Sequence, residues 1–555
     1  MHLPPSSRGL SHRPQYSASH THTPSTTTMA HRFIPPEHSR RCLILAFDGT
    51  GDQFDDDNSN LVQLVAMMRK THEQQLVYYQ TGIGTYTIPH IANPFKSKMR
   101  KIVDSMIGGS INTHVMGGYE FLMQNYRDGD KVCMFGFSRG AYIARALAGM
   151  LHKVGLLPAG NHQQVPFAYK MFISHNEKGW KQSVMFKRAF CRDIEIEFLG
   201  VWDTVQSVGV LPKRRLPFTA SSNHIRYFRH AISLDERRVR FQPNFWLPGF
   251  PLNCPERHQL FHDKDATLLD APLTASPPLT PSASTFGNGN GKKAKDCKHD
   301  EDKKKGKNKL RSMEQEFNNI QHSINRTLST NEGYVEDVAT YKTDVLEVWF
   351  TGCHADVGGG SVLNNTPNSL SRITLRWMVR QCFLANTGIM FDRTMMHEIG
   401  MDGDTLWPKV IPRPSMIEST EPFKPVVLTL EQSTDLTISS IGKLIPVATE
   451  EEEEVKDALS PIYDQLALSK FWWVLEFIPN KIKEHLEHGM RTFYTMNRGR
   501  GRRVPHIHVK EGIKVHRSVK LRMEAARRGH LFDVHGREAT YVPRVKWDVE
   551  PEWVD

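Results

Sequence analysis

The sequence predicts an α/β fold, a mostly parallel, doubly wound sheet with helices on both faces. Three observations carry this. Short apolar runs alternate along the chain with segments of helical spacing, as in strand–helix–strand units. The runs are continuously apolar rather than alternating, as expected of strands buried on both faces. One of them, KVCMFGF (131–137), leads into a serine bracketed by glycines and then into a helix-like segment.

RCLILAF (41–47) is a strand-like run that ends in the loop DGTG. NLVQLVAMMRKT (60–71) has helical spacing behind Asn58 and Ser59, either of which suits a cap. QLVYYQ (75–80) reads as a strand, and INTHVMGGYEFLMQNY (111–126) as a helix. After the turn RDGD comes the strand 131–137, then the small-residue helix RGAYIARALAGMLHKVGLL (139–157). IEIEFLGVWD (194–203) and VLEVWFTGCHAD (345–356) complete the expected strands.

At 555 residues the chain is long for one compact domain, so additions to a core are expected. Residues 1–39, rich in Ser, Thr, Pro and His, read as a disordered tail, and Met29 as an alternative start. A catalytic domain is expected over 40–394, interrupted by a low-complexity, charge-dense insertion at about 272–311. A helical or irregular extension packing on the core is expected over 395–555. In it TEEEEEVKD (449–457) reads as a surface segment, and RGRGRRVPHIHVK (498–510) as a basic string.

The net charge of +11 sits largely in short basic runs, which read as solvated segments, so no nucleic-acid partner is expected. The seven cysteines are scattered without a CxxC pair, which argues against a disulfide framework or zinc site and for a reducing compartment. A secretory signal and a membrane-length apolar run are both missing from the pattern, so the expectation is cytoplasmic, with any membrane contact peripheral.

A serine hydroxyl attacks a carbonyl only when a base takes its proton. The sharp strand-to-helix turn GxSxG lifts a serine out of the sheet for that purpose, with glycines where side chains would clash. Gly136-Phe137-Ser138-Arg139-Gly140 fits it, with strand before and helix after. The Arg139 N–H is then one oxyanion-hole donor. The second is expected from the loop Asp48-Gly49-Thr50-Gly51, at Gly49 or Thr50. Asp203 and His354 each follow a strand, in the order Ser, Asp, His, which makes them the candidate acid and base. Asp356 competes for the acid role or holds the loop. DQFDDDNSN (52–60) lacks a calcium-loop spacing and reads as a solvated turn, and this chemistry calls for no metal or organic cofactor.

FDGTGD, GFSRGAYIARALAGML, GVWDTVQSVG, HAISLDERRVRFQPNFW and VWFTGCHADVGGG, in this order, resemble the Tle-type phospholipase effector-like α/β-hydrolases. That family includes bacterial type VI secretion lipase effectors and an uncharacterised fungal branch. The resemblance implies an α/β-hydrolase fold, a triad of Ser138, Asp203 and His354, and a structural or oxyanion role for the DGTG loop. It also implies a lipid ester as substrate, and a salt-bridged supporting role is expected for Asp235 and Arg237. The acyl channel needs a cover, for which segment 158–190 and the aromatic stretch Phe471, Trp472 and Trp473 are candidates, although such a stripe also packs on cores. The alternatives are a soluble short-chain carboxylesterase or thioesterase, and a catalytically silent partner-binding protein.

Overall fold

The computed structural model describes residues 32–36, 40–50, 52–70, 73–83, 111–174, 177–205, 216–219, 224–246, 342–419, 421–424, 449–486, 489–547 and 549–555. The insertion expected at 272–311 and residues 1–31 lie outside them. Residues 32–36, within the stretch 1–39 expected as a disordered tail, are among those described. Phe33–Ile34 (β1) pairs antiparallel with Phe391–Asp392, and Arg32 forms an ion pair with Asp392.

The other strands, in chain order, are β2 (Cys42–Phe47), β3 (Gln75–Gln80), β4 (Lys131–Phe137), β5 (Ile196–Trp202), β6 (Ile225–Ser233), β7 (Asp344–Phe350), β8 (Phe391–Asp392), β9 (Asn480–Leu486), β10 (Gly489–Thr495), β11 (Lys514–His516) and β12 (Glu552–Val554). Eight of them form one sheet in the order β3-β2-β4-β5-β6-β7-β11-β12. Each neighbouring pair in it is parallel. The chain leaves β2 to one side for β3 and then crosses to β4 on the other. The crevice beyond the carboxyl ends of β2 and β4 is therefore a topological switch point, where open α/β sheets place their sites.

Strand β2 shows why the runs are apolar throughout. Cys42, Ile44 and Ala46 enter a core on one face of the sheet, with Leu61, Trp377 and Met378. Leu43, Leu45 and Phe47 enter the core on the other, with Tyr119, Leu147 and Leu151. Trp202 and Phe135 are fully buried in the first of these cores, and Trp349 is fully buried in a separate cluster with Ile232, Phe245 and Val515; truncating a core aromatic of this kind to alanine costs about 3–5 kcal/mol.

The region beyond residue 394 does more than pack on the core. Val515 of β11 pairs with Trp349 of β7, and β12 adds the outermost strand, so this region extends the sheet itself. The glutamate run, expected as a surface segment, is so only on one side, where Thr449 and Glu452 are exposed. Glu450–Ala458 is a helix capped by Thr449, and Glu454 and Asp457 are buried. Arg376 and Arg372 bind Asp457, Arg380 binds Glu450, and Arg413 and Arg517 bind Glu454. Buried carboxylates persist where such partners offset their desolvation.

Among the described residues no helix is long and apolar enough to cross a membrane.

Candidate active site

Ser138 follows the last residue of β4 and opens the helix Ser138–Val154. Its φ is +58°, a left-handed conformation that costs a non-glycine residue about 1–3 kcal/mol and that surrounding structure must enforce. The enforcement is close packing. A Cβ on Gly136 would lie 2.6 Å from the Ala141 Cα, and one on Gly140 would lie 2.0 Å from the Phe47 carbonyl oxygen and 2.4 Å from that of Asp48. Both neighbours of Gly140 are backbone, so neither yields without parting β2 from the turn. Gly140→Ala is accordingly expected to cost about 1–3 kcal/mol of stability and to abolish turnover. Thermal denaturation beside an ester assay checks this, and a variant with wild-type melting and wild-type rate would contradict it.

The register of the sheet brings the other candidates to the same edge. Phe137 pairs with Trp202, so Asp203 begins one residue past β5 beside the start of the serine's helix. Asp203 also has a positive φ, +40°. His354 opens a short helix, His354–Gly358, four residues beyond β7. His354 Nδ1 and Asp203 Oδ2 are 2.5 Å apart, and both side chains are buried. An ionised carboxylate only accepts, so Nδ1 carries the proton and Nε2 presents its lone pair. The imidazole packs against two phenyl rings, its centroid 4.7 Å from that of Phe137 in a tilted contact and 4.7 Å from that of Phe241 in an edge contact. Its contact with Phe137 sets it beside the residue that precedes Ser138.

Burial pushes the His354 imidazole below its ordinary pKa of 6.5, against the opposing pull of Asp203; Arg238 adds to the lowering and Glu236 opposes it. Burial pushes the Asp203 carboxyl up, but the Arg502 guanidinium and the His354 bond more than offset this and hold it far below the carboxylate range. Glu236 accepts the His354 backbone N–H at 3.2 Å and pairs with Arg238 at 2.8 Å. Although burial acts to raise it, Arg238 keeps its pKa at about 2.

The DGTG loop is fastened by Asp48. Its Oδ2 accepts from Ser59 Oγ at 2.9 Å and Tyr79 Oη at 2.7 Å, and its Oδ1 accepts the Gly49 N–H at 2.8 Å. The Gly49 N–H is thus engaged. Asp356 accepts the backbone N–H groups of Cys353 and Tyr463, at 2.9 and 3.1 Å, so it holds the loop behind His354. In the 52–60 segment Asp55, Asp56 and Asp57 are exposed as a solvated turn would be. Asp52 departs from that expectation: burial raises its carboxyl, with Asp48 adding to the effect and Arg139 opposing it. Ser59, not Asn58, caps the following helix, while Asn58 accepts the Asp55 N–H.

Asp235 is supported by neutral donors rather than a salt bridge. It accepts from the Gly352 and Arg544 N–H groups and from the Tyr541 hydroxyl. Arg237 instead pairs with Asp464 at 2.6 Å. Of the two segments considered as covers, 158–190 folds into helices whose Phe172 and Phe186 join the core around the serine's helix. The aromatic helix Phe471–Glu476 reaches the site, since Trp472 contacts Phe241 at a centroid separation of 5.7 Å. Sequence reasoning missed Arg502, which lies in the basic string and whose buried guanidinium meets the Asp203 carboxylate. Nothing in its flanking residues signals a buried role.

A curated relative, the uncharacterized protein YEL023C of Saccharomyces cerevisiae, is 29% identical over 558 residues, covering 89% of this chain and 81% of that protein. Two solved structures are similar at low identity. An uncharacterized protein from Pseudomonas aeruginosa matches at 15% identity and a TM-score of 0.33, over 76% of this chain and 53% of that one. The Tle1 effector bound to the VgrG spike of the type 6 secretion system matches at 16% identity and a TM-score of 0.22, over 39% of this chain and 50% of that one. The chain thus spans about half the length of these solved structures. The model of the T6SS phospholipase effector Tle1-like catalytic domain matches residues 41–381, more than half of the chain, and the protein belongs to that family.

Proposed function

We propose that the protein is a serine hydrolase that cleaves acyl esters of phospholipids through Ser138, His354 and Asp203. The observation that carries this is the left-handed Ser138 at the switch point of the sheet, with the buried His354–Asp203 pair formed from residues beyond the ends of β7 and β5. Membership in a phospholipase family supports the substrate class.

In this reading His354 Nε2 takes the Ser138 hydroxyl proton as Oγ bonds to the ester carbonyl carbon. The carbonyl oxygen becomes an oxyanion, met by the Arg139 N–H at the start of the helix and, with the Gly49 N–H engaged by Asp48, by the Thr50 N–H. The imidazolium returns its proton to the departing alkoxide, which leaves Ser138 acylated. A water deprotonated by His354 then attacks the acyl-serine, and the carboxylic acid departs as Ser138 regains its proton. Asp203 keeps the ring oriented and stabilises its charged form throughout.

The outer face of the aromatic helix supports a lipid substrate over a soluble ester. Val474, Phe477 and Ile478 are exposed on and just past the helix whose Trp472 contacts Phe241 beside His354. Exposed apolar side chains grouped at the rim of a site suit an acyl chain or a lipid surface. The double variant Val474→Glu/Phe477→Glu is expected to lose roughly tenfold or more of its rate on phospholipid vesicles, since each change replaces about 2 kcal/mol of apolar contact by a charge. Its rate on a short-chain nitrophenyl ester should stay unchanged. Equal loss on both substrates would assign this face to folding.

The experiment that tests the function compares wild type with Ser138→Ala on vesicles of mixed phospholipids, with fatty acid and lysolipid read by mass spectrometry. Release by wild type alone supports the reading. Turnover of soluble esters only would make the protein a carboxylesterase or thioesterase. Inertness of folded wild type toward all of them would favour a partner-binding role.

A further inference from the structure

We propose that Arg502, which lies beyond the family-matched residues 41–381, is a positioning residue of the acyl-transfer site that locks the Asp203 carboxylate in the orientation His354 requires. The proposal rests on the reading of Ser138, His354 and Asp203 given above.

The argument begins with what a carboxylate can accept, about four hydrogen bonds, two at each oxygen. At Asp203 all four places are filled. Oδ1 takes the Ser233 N–H at 3.0 Å and Arg502 Nη1 at 2.5 Å. Oδ2 takes His354 Nδ1 at 2.5 Å and Arg502 Nη2 at 2.8 Å. The guanidinium therefore grips the carboxylate with both prongs, a geometry that fixes a plane as well as a distance. Turning the carboxylate away from His354 would break both prongs at once.

Arg502 is itself immobilised. Nη1 also donates to the Ser233 carbonyl and hydroxyl at the end of β6, and Nη2 and Nε donate to the Phe241 carbonyl. Its side chain is 1% exposed and that of Asp203 0%. The loop bearing it is tied down by Glu476, at the end of the aromatic helix. Glu476 accepts the Asn497 amide at 2.7 Å, the Gly499 N–H at 3.0 Å and the Val239 N–H at 2.7 Å. Phe241, whose carbonyl Arg502 holds, is also the ring that packs on His354. One guanidinium thus fixes both the carboxylate partner of the imidazole and a wall of its pocket.

Two buried charges are costly to bring together, and an apolar pair of similar volume often stabilises a fold as well. A merely structural contact would have no need of a cation here. The cation does something an apolar contact would not: it shares the negative charge of Asp203 with His354, which weakens the pull of that charge on an imidazolium. The charged groups around His354 are Asp203 after β5, Arg502 from the C-terminal region, and Glu236 with Arg238 in the segment after β6. Removing Arg502 leaves Asp203 and Glu236 facing the ring with Arg238 as the one remaining cation of that set, so the imidazole becomes more basic.

The test uses the full-length protein with Arg502→Ala and Arg502→Lys, assayed on a soluble ester across pH, with melting temperatures taken in parallel. Arg502→Ala is expected to lower kcat roughly 100-fold, the scale of a misplaced catalytic group, with KM little changed. The acid limb of kcat/KM should move to higher pH, and added guanidinium should restore part of the lost rate. Arg502→Lys keeps the charge but not the fork, so its acid limb should stay near wild type while kcat falls about tenfold. A folded Arg502→Ala with wild-type kcat and an unmoved acid limb would overturn the proposal, as would a loss of rate with no shift and no rescue. If the alanine variant does not fold, a folded lysine variant decides: reduced kcat supports the proposal, and wild-type kcat overturns it. Persistence of turnover in Ser138→Ala would instead sink the underlying serine assignment, whatever Arg502 does.

Discussion

Ser138→Ala is expected to lose about 10^5- to 10^6-fold in ester turnover, the scale on which serine hydrolases depend on their nucleophile, while remaining folded. Alanine keeps the Cβ that makes a φ of +58° unfavourable, so stability should hardly change. Ser138→Gly removes that Cβ and should be more stable than Ser138→Ala by about 1 kcal/mol. Together the two variants separate strain from chemistry, because both lose activity and one gains stability. A fluorophosphonate label that modifies wild type and neither variant identifies the same oxygen. Equal labelling of wild type and Ser138→Ala would refute the assignment.

Asp203→Asn carries the second large effect. The amide is nearly isosteric, but it can offer a donor where His354 Nδ1–H needs an acceptor. Either the ring adopts the wrong tautomer or the bond is lost, and kcat should fall by about 10^4, some 5.5 kcal/mol of barrier. The change also strands the buried Arg502 charge, for a further stability loss of about 3–5 kcal/mol. Asp203 titrates below its unfolded value, so its contribution to stability is present above about pH 4 and is lost as pH falls through the folded pKa. The deficit of Asp203→Asn should therefore be full at neutral pH and shrink under acid conditions in denaturant titrations. The activity profile supplies an independent sign. Since burial lowers the His354 pKa, the acid limb of wild type should lie below pH 6.5. Asp203 is what pulls that pKa upward, so the residual activity of Asp203→Asn should persist to still lower pH. Arg502→Ala should move the limb the other way. Shifts of the same sign in the two variants would contradict the electrostatic account.

The parts of the fold that could be read from sequence are those in which apolar content and local turn chemistry coincide. Strands 42–47, 75–80, 131–137, 196–202 and 344–350 fall on apolar runs, and the elbow around Ser138 announces itself by its two glycines. Strand β6, IRYFRHAIS, escapes this logic because its interior holds Arg229 and His230, both buried. Their partners lie on neighbouring elements: Arg229 bonds Gln381 and Asp344, and His230 bonds Glu347 of β7. A polar residue that is satisfied only across the sheet looks like a loop residue to any local reading. The glutamate helix 450–458 is hidden for the same reason, since its neutralising arginines come from 372–380, 413 and 517. Strands β11 and β12, three residues each, are too short for a period to register. At the site, Asp203 and His354 could be picked out because strand ends and chain order point to them. Arg502 could not, because a bidentate partner 299 residues away leaves no mark on its own neighbourhood.

That separation has a consequence in time. A chain emerging from the ribosome exposes Ser138, Asp203 and His354 well before Arg502, and at about 5–20 residues per second the delay after His354 is roughly seven to thirty seconds. Until then the aspartate lacks its clamp, and strands β11 and β12 are missing from the sheet edge. On the proposed reading, a product truncated before residue 502 that retains all the family-matched residues, 41–381, is expected to turn over esters no faster than Arg502→Ala.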